Sequence, residues 1–214
     1  MHSQEDSSRK TFTDFLRRIF AGPLNAIAGF LVRLGIRPNV ITAIGLIGNL
    51  VAGLLIATGR VFWGGLTALL IWPLDALDGT MARMRQESGR YGAFVDSVTD
   101  RYSEIAIYGG LLVFFIQSGT WGDALLVFFA VVGSIMVSYT RAKAEALNYD
   151  AKIGLLSRAE RYVVLMPGLL LGAPRISLWI LAVLANFTAL QRFWYVRTQA
   201  RSEKNIEKKE NSND

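Results

Sequence analysis

The chain has no cysteine and a single histidine. The first absence excludes disulfides, zinc–thiolate centres and iron–sulfur clusters, although it leaves the redox compartment open. The second leaves only His2, in a polar stretch at the N-terminus. Histidine-based acid–base catalysis and a Ser-His-Asp triad are therefore excluded. Charged residues are sparse as well, 19% of the sequence against 52% apolar, and the mean hydropathy is +0.33. The apolar residues gather in long runs rather than spreading evenly, which is the pattern of a membrane protein. A net charge of +6 is met in nucleic-acid binders too. At this apolar content, anionic lipid and topology signals account for it better. The length of 214 residues suits one domain.

Residues 1–10 are polar and read as disordered. Over 11–36, Phe12, Phe15, Leu16, Ile19, Phe20, Leu24, Ile27, Phe30, Leu31 and Leu34 recur at helical spacing, interrupted by Arg17, Arg18 and Arg33. This predicts an amphipathic juxtamembrane helix lying on the membrane surface, bent near Gly22-Pro23. No compact apolar core with a small-residue cleavage site is present, so a signal peptide is not expected. Apolar stretches follow at 40–58, 62–82, 93–116, 122–146, 160–174 and 176–197. Each supplies the ~20 helical residues needed to cross ~30 Å of hydrocarbon, the fifth being short. Breaks at Gly59-Arg60, Ser118-Gly119 and Gly172-Ala173-Pro174 read as hairpin turns. The predicted fold is all-α: an integral membrane bundle of six transmembrane helices over 37–197, preceded by the amphipathic interfacial helix. Residues 198–214 form a charged tail, expected to be frayed or disordered from Arg201 onward.

Lysine and arginine set the orientation. With the N-terminus cytoplasmic, the three hairpin breaks face outside and carry only Arg60 and Arg175. The other cations fall at the inner ends: Arg33 and Arg37; Arg83, Arg85, Arg90 and Arg101; Arg141 to Arg161; and the tail after Arg192. The expectation is a multi-pass protein of the cell membrane with both termini cytoplasmic.

At the inner edge of the second and third apolar stretches stands one spaced pattern: Asp75-x-x-Asp78-Gly79-x-x-Ala82-Arg83, then Gly92-x-x-x-Asp96-x-x-x-Asp100. Spacings of three and four put both members of each Asp pair on one helix face. Ionised carboxylates at membrane depth are costly unless neutralised, and the usual neutraliser is a hard divalent cation. Two helix ends meeting at the 83–90 linker would gather all four Asp side chains around one or two ions. Such ions hold a diphosphate, screen attack on an anionic phosphorus and stabilise a leaving phosphate. Gly79 and Gly92 lack a Cβ and let a nucleotide approach the backbone, with Ala82 leaving similar room; helix–helix packing through small residues is the plain alternative.

This pattern is matched in full by the signature of the CDP-alcohol phosphatidyltransferases, and the chain resembles that family over roughly residues 38–197. The family moves a phosphatidyl group from a CDP-linked lipid to an alcohol and releases CMP. The resemblance implies that Asp75, Asp78 and Asp96 are metal ligands for Mg2+ or Mn2+, and that Asp100 is a ligand or the base that activates the acceptor hydroxyl. It implies that Gly79, Ala82, Arg83 and Gly92 hold the CDP portion together with Asp78, Arg83 lying near the diphosphate. Pro38-Asn39-x-x-Thr42 is similar to the family's start of the first span, where Asn39 or Thr42 helps hold the nucleotide; helix capping is the alternative role. The family often forms homodimers, for which Gly109, Gly110, Gly133 and Ser134 permit close contact.

The acceptor is read from a second cluster. Ser138-Tyr139-Thr140-Arg141-Ala142-Lys143-Ala144-Glu145 closes the fourth stretch, and Ser157-Arg158-Ala159-Glu160-Arg161 opens the fifth. These cations suit an acceptor that carries its own phosphate. The alternative is that they mark the inside and pair with Glu145 and Glu160. The two segments resemble the branch of the family that makes phosphatidylinositol phosphate from CDP-diacylglycerol and inositol 1-phosphate. That resemblance implies acceptor contacts from Ser138, Arg141, Lys143, Arg158 and Arg161, with Arg192 from the last stretch. The order of Arg and Lys at 141 and 143 is reversed relative to that branch. Competing readings are a glycerol 3-phosphate acceptor, a neutral acceptor and, from another class, a divalent-cation transporter. Against the transporter, the carboxylates sit at one membrane face with no acidic series deeper in the spans.

Overall fold

The computed structural model describes residues 12–87, 89–151 and 153–211, and these are helical with no strand among them. The helices are α1 (Phe12–Arg33), α2 (Pro38–Ala57), α3 (Val61–Ile71), α4 (Leu74–Met84), α5 (Arg90–Gln117), α6 (Trp121–Ala146), α7 (Arg158–Leu170) and α8 (Pro174–Glu210). Pro38 opens α2 at a first-turn position, where a missing N–H costs nothing. Gly59 and Gly119 take positive φ values of 83° and 75°, so the chain reverses after α2 and α5 where the hairpin breaks were expected. A capping box between Ser157 and Glu160 starts α7.

The 62–82 stretch is divided. Pro73 has no N–H to donate, and the chain turns at Trp72-Pro73 between α3 and α4. The two still run on as one apolar passage, Val61–Met84. Among the described residues, four segments are long and apolar enough to cross a membrane: α2, Val61–Met84, α6 and Pro174–Asn205 of α8. The expectation of six is met less clearly. α5 is long enough but carries Asp96, Asp100, Arg101 and Glu104, and α7 has only 13 residues with Arg158, Glu160 and Arg161 in its first turn. One other expectation changes: α8 stays helical to Glu210 rather than fraying at Arg201. Pro23 lies inside α1, which runs from Phe12 to Arg33. The N-terminal 1–10 segment and the last residues of the tail lie outside the described residues.

α2 packs on α5, α3 and α4; α6 packs on α8 and α5; α7 bridges α3 and α8; α1 lies on α4. One large apolar core joins α2, α3, α5, α6, α7 and α8 through residues such as Ile56, Ala68, Ile107, Val127, Leu169 and Leu181. A smaller one, Ala28, Ile41, Leu77 and Met81, seats α1. α2 and α5 touch backbone to backbone, since a Cβ on Gly110 would strike the Gly53 carbonyl. A Cβ on Gly133 would lie 2.6 Å from the Asn186 side chain, and Ser134 hydrogen-bonds within the chain. Three of the four small residues expected to serve a dimer are therefore used inside one bundle; Gly109 alone faces open space. The outward sides of α2 and α8 expose Ile44, Ile47, Leu54, Trp179, Val183 and Phe187, which suits lipid contact.

Candidate active site

Asp75 and Asp78 lie on α4, whose packing against α2 buries one face, and Asp96 and Asp100 lie one turn apart on α5. Carboxylate oxygens of Asp75, Asp96 and Asp100 come within 4.8 Å of one another. Asp78 is next to this group but turned to other partners. Its Oδ2 accepts the Thr42 hydroxyl at 2.6 Å and its Oδ1 accepts the Gly79 amide at 2.6 Å. The sequence grouped four carboxylates; the structure gathers three and ties the fourth to α2.

Arg158, the first residue of α7, reaches into the group. Its Nη1 lies 2.5 Å from Asp75 Oδ2 and 2.6 Å from Asp100 Oδ2. Its guanidinium carbon stands 5.9 Å from the centre of the Tyr162 ring, which stacks on Trp72. Arg101 touches Asp100 at 3.5 Å and donates to the Ser97 carbonyl. The donor set fits a hard divalent cation: carboxylate oxygens only, closely spaced, already attracting a positive group. A cavity continues from these carboxylates along α2, lined by Thr42, Asn49, Thr99, Ser103 and Tyr162. Asn49 Oδ1 is buried there without a partner.

The residues expected around CDP are placed less uniformly. Thr42 binds Asp78. Asn39 is exposed on the second helical residue of α2, while Arg37 occupies the capping position, so the capping role does not fall to Asn39. Gly79 has only the Arg83 side chain nearby, and Gly92 has open space around it; neither glycine is needed for packing. Ala82 is half-buried, and Arg83 is exposed with Nη2 on the Thr80 hydroxyl at 2.9 Å.

The acceptor cluster does not converge as expected. Arg161 is 2% exposed, and its Nε and Nη2 each reach Glu104 Oε1 at 2.8 Å. Glu104 also accepts the Ser134 hydroxyl at 2.9 Å, and Ser138 lies 3.4 Å from Arg161 Nη2. Arg192 is buried and donates to the Ile153 carbonyl at 2.8 Å and the Val137 carbonyl at 2.5 Å, fixing the α6–α7 loop. Arg141 is exposed and pairs with Glu145 at 2.9 Å, and Lys143 is exposed. Only Arg158 of these cations is in contact with the carboxylates.

Glu104 escaped the sequence reading, although it stands four residues beyond Asp100 and continues the Asp96–Asp100 spacing. The acidic series does run one turn deeper, contrary to the argument used against a transporter. Arg161 pairs with that extra carboxylate, so its charge is balanced inside the bundle.

An all-helical bundle of membrane-spanning length, with a carboxylate nest suited to a divalent cation at one end, is the class these observations define. Residues 35–191 match the family described as CDP-alcohol phosphatidyltransferase. The phosphatidylinositol phosphate synthase of Mycobacteroides abscessus is 36% identical over 193 residues, covering 85% of this chain and 87% of that one. The phosphatidylinositol phosphate synthase of Mycobacterium tuberculosis has a similar crystal structure with CDP-DAG bound, at 30% identity and a TM-score of 0.75, covering 81% of this chain and 92% of that one. Its complex with manganese and citrate gives 30% identity and a TM-score of 0.76, covering 82% and 89%. The chain belongs to the CDP-alcohol phosphatidyltransferase family.

Proposed function

We propose that this chain transfers the phosphatidyl group of CDP-diacylglycerol to a hydroxyl of inositol 1-phosphate and releases CMP. The observation that carries the reading is the meeting of Asp75, Asp96 and Asp100 with Arg158, a phosphate-handling nest facing a phosphate-binding cation. The names of the relatives support the choice of acceptor. Asp75, Asp78, Asp96 and Asp100 would hold Mg2+ or Mn2+, which supplies charge neutralisation for the diphosphate and for the departing phosphate. Gly79, Ala82, Arg83 and Gly92 leave room for CDP, with Asn39 and Thr42 at the α2 end of the same surface. Asp100 takes the proton of the acceptor hydroxyl as its oxygen bonds to the lipid-linked phosphorus. The bond from that phosphorus to the CMP oxygen breaks, and CMP leaves with the electron pair. Arg158 grips the acceptor phosphate. Ser138, Arg141 and Lys143 border its approach, while Arg161 and Arg192 hold the walls in place.

The same reading takes α5 and α7 as the third and fifth of six crossings and turns the carboxylate end to the cytoplasmic face of the cell membrane. It includes a homodimer held through surfaces other than Gly110, Gly133 and Ser134. The test is CMP release from CDP-diacylglycerol with a panel of acceptors: inositol 1-phosphate, glycerol 3-phosphate and free inositol. Inositol 1-phosphate is expected to give the highest kcat/KM. Preference for glycerol 3-phosphate would move the enzyme to phosphatidylglycerol phosphate synthesis, and preference for free inositol would reject a phosphate-binding role for Arg158.

A further inference from the structure

Arg158 sits where a cation belongs. Its Nη1 bridges Asp75 and Asp100 at 2.5 and 2.6 Å, two of the three carboxylates whose oxygens lie within 4.8 Å of one another. A divalent ion bound to those oxygens and this guanidinium require the same lone pairs and the same space, and two cations so close repel each other. Among the described residues, no other cation competes in this way. Arg101 reaches Asp100 only at 3.5 Å, and Arg161 is committed to Glu104.

The guanidinium is also poorly settled where it lies. Arg158 Nε is buried with no hydrogen-bond acceptor, so the bridge leaves one of its donors unmet. Its attachment fixes the backbone and leaves the guanidinium held by side-chain contacts alone, the two carboxylates and the Tyr162 ring. Arg158 is the first residue of α7 and follows Ser157, whose backbone is extended. The capping box pins the backbone on either side of it. One turn on, Arg161 is anchored to Glu104. The two contacts form successive rungs between α5 and α7: an inner one that is sealed, with side chains 2% and 6% exposed, and an outer one that is half open, at 24% and 11%. Exchange at the outer rung does not require the helix start to move.

Building on the phosphorylated acceptor assigned above, we propose that Arg158 is a resident counter-cation. It holds Asp75 and Asp100 together until a divalent ion arrives, and the displaced guanidinium then receives the acceptor phosphate. Before displacement, an acceptor phosphate would meet carboxylates and a guanidinium already in use. Afterwards it meets a freed two-pronged donor beside a neutralised nest. Metal and acceptor therefore bind in a preferred order, metal first. By linkage, a phosphate that captures the guanidinium tightens metal binding in turn.

The test uses the full-length protein in detergent with no lipid substrate, titrated with Mn2+ while free Mn2+ is followed by electron paramagnetic resonance. Arg158→Gln removes the competitor and is expected to bind Mn2+ at least about tenfold more tightly than wild type, the scale of one lost charge-assisted contact. Arg158→Lys keeps a competing charge and is expected to stay within a few-fold of wild type. Equal or weaker Mn2+ binding by Arg158→Gln overturns the proposal. Because that variant leaves two carboxylates unpaired and is less stable without metal, melting temperature is read alongside. Mn2+ is expected to raise it more in Arg158→Gln than in wild type, and a smaller rise counts against the proposal. In a second arm, inorganic phosphate is titrated at saturating Mn2+. Arg158→Gln is expected to bind it at least about tenfold more weakly than wild type, and undiminished binding overturns the acceptor half. Acceptor assays that turned over only uncharged alcohols would remove that half with the functional reading, while the manganese titration would still decide the displacement by itself.

Discussion

At Asp100 two demands meet on one side chain. It is 8% exposed and in contact with Arg158, and it faces the cavity where the acceptor hydroxyl would come. If it is the base, Asp100→Asn keeps the shape but cannot take a proton. Turnover measured as CMP release is expected to fall by ~10²–10⁴, while CDP-diacylglycerol affinity changes little. Loss of the lipid nucleotide from the variant would make Asp100 chiefly a ligand. Glu104 and Arg161 behave differently, because both are sealed in. Glu104→Ala leaves a guanidinium buried without a counter-charge, and such a deletion costs about 3–5 kcal/mol. The double variant Glu104→Leu with Arg161→Met is expected to recover most of the lost thermal stability, since a buried pair replaced by apolar side chains is often neutral. The carboxylate motif was legible because spacing of three and four residues translates directly into a shared helix face. The roles of Arg161 and Arg192 were not. A sequence shows that cations cluster near a helix start, but a partner on another helix, Glu104 on α5 or the Val137 carbonyl on α6, decides which of them stays free.

Among the helices, the α2–α5 contact depends on the absence of side chains at two positions. A Cβ on Gly53 would strike the Ala106 carbonyl, and one on Gly110 would strike that of Gly53. Gly110→Ala is therefore expected to push α2 away from α5 and, through Thr42 on α2, to disturb Asp78. Less folded protein in detergent, measured by monodisperse yield and thermal unfolding, is the expected outcome. The adjacent Gly109 is the internal control. Nothing lies within 4 Å of its Cβ position, so Gly109→Ala is expected to be neutral or to stabilise the helix, by up to about 1 kcal/mol. Two glycines in tandem look alike in a sequence, and both permit close contact with another helix. Only the rotation of α5 about its axis separates them. Helix ends were easier to foresee, since Gly59, Gly119 and the Ser157–Glu160 box carry their own local geometry. The division of the second apolar stretch at Pro73 was missed because hydropathy alone does not register a missing N–H.

For the molecule as a whole, the asymmetry of charge between the two ends of the bundle is the strongest determinant of its orientation. Only Arg60 and Arg175 were assigned to the outer face, and Arg175 is paired with Asp123 across the starts of α6 and α8. Hydropathy alone gives four clear spans among the described residues, so the crossing number rests on α5 and α7, the two helices that carry Asp96, Asp100, Arg158 and Arg161. In the six-crossing reading proposed above, these would be the passages where function makes the helix too polar to read as a span. A helix of 13 residues extends only about 20 Å at ~1.5 Å per residue, so α7 would cross with help from its flanking turns. The absence of cysteine makes the arrangement directly testable, because one engineered thiol is the only thiol. With six crossings and a cytoplasmic N-terminus, Ser118→Cys and Leu171→Cys lie in outer turns, and Glu87→Cys and Arg201→Cys lie at the inner end. In intact cells a membrane-impermeant maleimide is expected to label the first two and spare the others, and to reach all four after the membrane is opened. If α5 failed to cross, Ser118→Cys and Glu87→Cys would label alike. If α7 failed to cross, Leu171→Cys would be protected in intact cells. The first pattern would put the carboxylates of α5 and the Arg158 end of α7 on opposite faces, and the proposed active site requires them on one; the second would leave Arg158 beside the carboxylates but send the end of α8 outward, so that Arg201→Cys would label in intact cells.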